Sequence, residues 1–226
     1  MNGTAFVSVM GYLNQCIFMK KLFTCIVLLV AFTFTAQAQR TSLGVTGGFG
    51  HSWFSYVGDK TFDPAFNGGL TFTYSSTQHW GFGIDAKFSR EGLRVERDGN
   101  TFTSKLDYIR IPVRVSYFLN DYTHNIRPKF TLAPTLGIAI GANETFENED
   151  GDKETMDVSD EVNTIDIGAS AAFGVNFRLS PKVWLTTDLV YYNGFLNVYK
   201  DTEDGEFYAN RNVSFNVGIT YGIGKE

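Results

Sequence analysis

An all-β barrel of eight antiparallel strands that crosses a membrane is the fold class this sequence predicts, and three observations predict it. Bulky apolar residues recur at every second position in eight segments, with small or polar residues between them. The connections between those segments alternate between long and short. Ahead of all of them stands a complete export leader.

The leader comes first. Met19, Lys20 and Lys21 precede the apolar run LFTCIVLLVAFTF at 22–34, and Ala36 and Ala38 form an Ala-x-Ala site. The run is too short for a bilayer helix, which needs about 20 apolar residues. A signal peptide over 19–38, cut after Ala38, is therefore expected, with the barrel domain over 39–226. Residues 1–18 lie ahead of the leader's basic start and are expected to be an overcalled translation start. Both cysteines, Cys16 and Cys25, precede the cut, so the mature chain is expected to hold no thiol for a disulfide, a metal or a nucleophile.

Aromatics make up 15% of the chain and glycines number 23, a mixture that suits pleated surfaces and tight turns. The net charge of −5, with no basic stripe, argues against a nucleic-acid partner.

The strands follow from the alternation. Their apolar positions are Leu43, Val45, Phe49; Leu70, Phe72, Tyr74; Trp80, Phe82, Ile84, Phe88; and Ile109, Ile111, Val113, Val115, Tyr117. The second half continues with Phe130, Leu132, Leu136; Ile165, Ile167, Phe173; Val183, Leu185, Leu189; and Val213, Phe215, Val217, Ile219. Long connections are expected at 55–65, 90–104, 143–163 and 194–211, and short ones at 75–79, 119–129 and 178–182. Short turns opposite long loops mark an outer-membrane barrel with both termini periplasmic and the long loops extracellular.

Volume and charge decide which face is inside. The interior of an eight-stranded barrel barely holds one layer of filling, so the bulky parity would overpack it. The other parity carries Arg110 and Arg114, which would cost roughly 2–4 kcal/mol each if turned to lipid near the midplane. Apolar residues are thus expected outward. Asp85, Lys87, Arg110, Arg114, Asp166 and Asp188 share the inward parity, and the arginines are expected to pair with those carboxylates in a structural charge network. Pro112, which offers no ladder hydrogen bond, is expected to form a bulge or a local weakness shared with Pro134 across the hairpin. Trp80, Tyr117, Phe130 and Phe177 near the turns, and Phe49, Phe88 and Tyr191 near the loops, are expected to form two aromatic girdles.

The segments LDYIRIPVRVSYF (106–118), KFTLAPTLGIAIGA (129–142), TIDIGASAAFGVNFRLSPKVWLTTDLVYYNGFLNV (164–198) and NRNVSFNVGITYGIG (210–224) occur in an order that resembles the PorT-like outer-membrane β-barrel proteins of Bacteroidota. The resemblance covers about 41–226. It implies the barrel fold and the outer membrane, and one branch of that family assists secretion and gliding machinery. Arg110 departs from it, standing where the family often has an acidic or amide residue.

Two further features bear on chemistry. The connection at 142–163 holds nine carboxylates against Lys153 alone. Its spacing lacks the alternate Asp positions of a calcium loop, so a solvated, mobile surface loop is expected. A lipid-modifying site would need a nucleophile, base and acid at one rim. His79 and His124 fall in the short turns, and His51 lies on the lipid-facing parity while Ser52 points the other way. No catalytic, metal or cofactor site is therefore assigned. The expected function is non-enzymatic: envelope integrity, surface interaction or assistance to a secretion system. The alternatives are a lipid-modifying enzyme at the outer rim and a narrow solute channel. Expected partners are outer-membrane lipid, the barrel-assembly machinery during insertion, and an envelope or secretion-system protein.

Overall fold

Two-residue alternation becomes extended chain throughout, and backbone hydrogen bonds close that chain into a ring. The computed structural model describes residues 40–202 and 206–223; the leader, Ala38, Gln39 and both cysteines lie outside them. The strands are β1 (Arg40–Phe54), β2 (Pro64–Ser75), β3 (Trp80–Arg97), β4 (Asn100–Phe118), β5 (Ile126–Glu147), β6 (Lys153–Asp157), β7 (Ile165–Arg178), β8 (Val183–Gly194) and β9 (Asn210–Gly222). Eight of them form an antiparallel up-and-down ring in the order β1–β2–β3–β4–β5–β7–β8–β9. Pairing of β1 with β9, including Val45 opposite Ile219 and Phe49 opposite Phe215, closes it.

The bulky parity faces outward. Leu43, Val45, Leu70, Ile84, Val113, Ile167, Leu189 and Val217 are all exposed, and Leu132 is 66% exposed. Ser89, Ser116, Thr131, Thr135, Ser214 and Asn216 are buried on the opposite parity. This is the inversion expected of a barrel whose outer solvent is hydrocarbon. Aromatic contacts ring both ends: Trp80 with Tyr117 at 5.0 Å and Phe130 with Phe173 at 5.1 Å near the short turns, and Phe66 with Phe88 at 6.0 Å and Trp53 with Tyr191 at 6.4 Å near the loops. Just beyond Phe88 the outward face becomes charged, where Arg90 grips Asp107 through two 2.6 Å hydrogen bonds.

Three expectations change. The segment 90–104 is no loop: β3 and β4 run on to a two-residue turn in which Asp98 and Gly99 both have positive φ, 49° and 78°. Asp-Gly is the dipeptide that such a hairpin turn selects. The acidic segment is likewise structured. β5 extends through Glu147, β6 pairs back onto it from Asn143–Asp157 to Glu147–Lys153, and Val158 and Val162 are buried. Its charges sit on a hairpin, with the Asp157 carboxyl held below its usual range by hydrogen bonds from Ser159. Third, of the two forms expected at Pro112 the bulge gives way to the local weakness shared with Pro134: the register shift in the β4–β5 ladder falls between Asp107 and Tyr108. Pro112 instead interrupts the ladder on both sides without shifting it: next to it the pairs Val113–Pro134 and Asp85–Pro112 are unformed.

The apolar core is displaced to the loop end. Phe54, Leu93, Leu106, Tyr108 and Ala142 point inward from the strands, and Val158, Val162 and Val198 come down from the loops to meet them. Asn163 N–H donates to the Val198 carbonyl at 2.7 Å, tying the two loop segments together. Tyr199 seals the edge, donating to Glu144 Oε1 at 2.7 Å, and burial holds its phenol above the ordinary range.

Candidate functional site: the lumen

Beneath that apolar plug lies a charged layer centred on Arg110, whose side chain is 4% exposed. The ladder places it there: Arg110 is opposite Lys87 on β3 and opposite Gly137 on β5. A Cβ at Gly137 would sit 2.5 Å from Arg110 Nη1, so only glycine leaves room for the guanidinium to lie across the strand. Nε and Nη2 donate to the two Glu91 oxygens at 3.1 and 2.6 Å, and Nη1 donates to Asp166 Oδ2 at 2.7 Å and to the Tyr192 hydroxyl at 2.8 Å. Tyr192 passes its own hydrogen to Asp166 at 2.9 Å, and Asn210 donates to Asp166 and to the Tyr108 hydroxyl. Rings of Tyr108 and Tyr192 flank the guanidinium at 4.2 and 4.4 Å. Planar and bidentate, this geometry suits arginine and would not suit lysine.

A second charged layer lies nearer the short turns. Arg114 is 2.9 Å from Asp85 and donates through Nη2 to Thr71 Oγ1 at 2.6 Å and Thr73 Oγ1 at 3.0 Å. Its cross-strand neighbour is again a glycine, Gly83, where a Cβ would meet Nη2 at 2.6 Å. Asp188 is 3.0 Å from Lys129. Lys87 projects into the same space. From this layer down to the short turns runs a polar cavity of about 690 Å³, reaching Tyr122, Thr123, Ser180 and Lys182 at the turns. The lumen is thus closed at the loop end and hollow at the other.

Of the six inward residues marked in the sequence, Arg110 meets Asp166, Arg114 meets Asp85, Asp188 is taken by Lys129, and Lys87 stands without an ion pair among the described residues. Sequence reasoning misses Glu91, Lys129, Tyr192 and Asn210. Glu91 continues the inward parity of Asp85, Lys87 and Ser89, and the Asp98-Gly99 turn is the signal that β3 reaches it. Lys129 shares parity with Thr131 and Ala133.

The loop-end rim holds Ser52, Asp63 and His51 close together, but in a structural arrangement. Ser52 is buried, donates to Asp63 Oδ2 at 3.0 Å and accepts from Gly92 N–H at 2.8 Å. Lys105 also pairs with Asp63. His51 Nδ1 accepts from the Asp63 backbone N–H at 3.0 Å while its ring stacks on Trp53 and Phe62. Among the described residues no group of three or more His, Cys, Asp or Glu side chains is arranged to hold a metal.

No curated protein sequence matches the chain. Solved structures do. A major outer membrane protein from Thermus thermophilus is 11% identical with a TM-score of 0.50, the match covering 83% of this chain and all of that one. Neisserial surface protein A is 12% identical with a TM-score of 0.47, covering 82% of this chain and 99% of that one. Outer membrane protein W of E. coli is 12% identical with a TM-score of 0.45, covering 84% and 100%. At such identities the likeness concerns the fold alone. The closed ring, its outward apolar parity and its aromatic girdles agree with a sequence relationship that spans most of the chain: residues 35–200 match the family model described as outer membrane protein beta-barrel domain, and the chain belongs to that family.

Proposed function

We propose that this small outer-membrane barrel is a plugged, non-enzymatic protein that works through surface interaction at its loop end. The observation that carries this reading is the double closure of the lumen, by the Arg110 layer and by the apolar plug above it. A solute pathway needs a continuous wet passage, and eight strands leave little space for one once side chains cross them. Above the charged Arg90–Asp107 pair, β3, β4, β5 and β6 continue as a four-stranded sheet that offers a rigid surface to a partner. The resemblance to PorT-like proteins of Bacteroidota supports an envelope setting, with assistance to a secretion machine as one form the interaction takes. Short turns and both termini face the periplasm in this reading.

Reconstitution tests the closure. Purified protein in planar bilayers should give no steady porin-like current; a large, stable single-channel conductance would make the protein a channel. Protease treatment of intact cells tests the orientation. A glutamyl endopeptidase should cut at the exposed β5–β6 turn, 148–152, and leave the barrel and the buried Val158–Val162 segment in place. Cleavage appearing only after lysis would reverse the orientation.

A further inference from the structure

Among the described residues, the hollow half of the lumen is lined by more cations than carboxylates. Six lysines and arginines line the cavity against two carboxylates, Asp85 and Asp188. Arg114 and Lys129 occupy those two. Near the mouth, Arg127 donates to the Gln78 carbonyl at 2.7 Å, Arg178 donates to that of Tyr122, and Lys182 is exposed. Lys87 is different. It lies on β3 deep in the cavity, opposite Arg110 in the ladder and so directly under the charged layer that forms the roof. Its ammonium makes no ion pair or hydrogen bond among the described residues, although Asp85, Arg114, Glu91 and Asp188 are near enough to act on its charge.

A cation held out of bulk water without a partner is costly, and a narrow cavity of one sign with low-dielectric walls concentrates its field. An anion relieves both. The donors for one are in place: three N–H bonds of Lys87 and the Nη1 group of Arg114, which makes no hydrogen bond among the described residues. Thr71 and Thr73 accept from Arg114 and so keep their hydroxyl hydrogens for another acceptor. The volume of about 690 Å³ lies in the range typical of small-molecule sites.

We propose that the short-turn half of the lumen is a binding site for a small phosphate-bearing solute, its oxyanion held by Lys87 and Arg114 beneath the Arg110 roof. A dianion offsets the surplus charge better than a monoanion does, which favours phosphate over a single carboxylate. The Arg110 layer and the apolar plug close the lumen above the cavity, so the solute enters and leaves by the short-turn end. That this end opens to the periplasm rests on the orientation proposed above; the binding itself does not.

The test uses purified mature protein folded in detergent, titrated at constant ionic strength in chloride with inorganic phosphate and, separately, with glycerol 3-phosphate. Calorimetry and the fluorescence of Trp184, which lines the cavity, are the readouts. Saturable binding is expected for at least one probe; tighter binding of glycerol 3-phosphate identifies an organic phosphate as the ligand, equal binding identifies free phosphate. Lys87→Gln should weaken binding by about tenfold or more, Lys87→Arg should keep most of it, and Lys182→Gln at the rim should change it less than about twofold. Because Lys87 makes no ion pair or hydrogen bond among the described residues, Lys87→Gln should be at least as heat-stable as the parent without phosphate, and phosphate should raise the melting temperature of the parent alone. Failure of both probes to bind above the chloride background, equal losses at Lys87 and Lys182, or a destabilised Lys87→Gln protein would overturn the site.

Discussion

Replacing Arg110 by alanine should lower the stability of the barrel by about 3–5 kcal/mol, because it strands two buried carboxylates that the guanidinium now serves. Glu91 is 2% and Asp166 6% exposed at the side chain, so neither can recover its lost partner from water. The loss should shrink when the acids are neutralised as well. Arg110→Ala combined with Glu91→Gln and Asp166→Asn should be more stable than Arg110→Ala alone, since amides cost less to bury than unpaired carboxylates. Denaturant unfolding in phospholipid vesicles, followed by heat-modifiable gel mobility, measures both. Losses that simply add would mean that the three groups do not act as a unit. Arg114→Ala should cost less, because its carboxylate partner Asp85 borders the cavity and can be rehydrated there.

Leu132→Arg should cost about 2–4 kcal/mol, the depth-dependent penalty for arginine on the lipid face of a barrel. On the surface of a soluble protein a substitution at a residue as exposed as Leu132 would change stability by at most about 0.5 kcal/mol. The contrast makes this a test of what surrounds the molecule. Leu132 sits on β5 between the Phe130 girdle and Leu136, opposite Val115 on β4, well inside the apolar band. The same unfolding assay in vesicles decides it, and an unchanged midpoint would mean that hydrocarbon does not cover this face.

Most of the ring could be read from the chain because parity alone determines the facing of a strand, and hydrocarbon outside makes the parity conspicuous. Leu132, Val113 and Val217 announce the outer face as plainly as Arg110 and Asp166 announce the inner one. What the alternation could not show is where strands leave the membrane. Beyond Phe88 the outward residues become polar, so Arg90 to Ser104 reads as loop although the backbone continues its ladder. Glu91 was lost with that segment. The acidic hairpin misleads for a related reason: its carboxylates sit on a two-stranded ribbon, and the two valines that anchor it, Val158 and Val162, are outnumbered by charge. The partition of the carboxylates, Asp85 to Arg114 and Asp188 to Lys129, depends on stagger between strands, which no single strand encodes.

The composition of the Arg110 layer bears on how the ring is assembled. Glu91 and Arg110 belong to one hairpin and can meet as soon as β3 and β4 pair. Asp166 arrives with β7, Tyr192 with β8 and Asn210 with β9. Until β9 docks, Asp166 and the Tyr108 hydroxyl both lack the Asn210 amide that donates to them. The layer therefore acts as a latch: its hydrogen bonds are completed only when the last strand is in place, and a sheet of six or seven strands leaves acceptors on β4 and β7 unserved. Nascent chains still short of that strand thus carry their unmet polar groups inside the curling sheet, on β4 and β7, which biases the final step toward shutting.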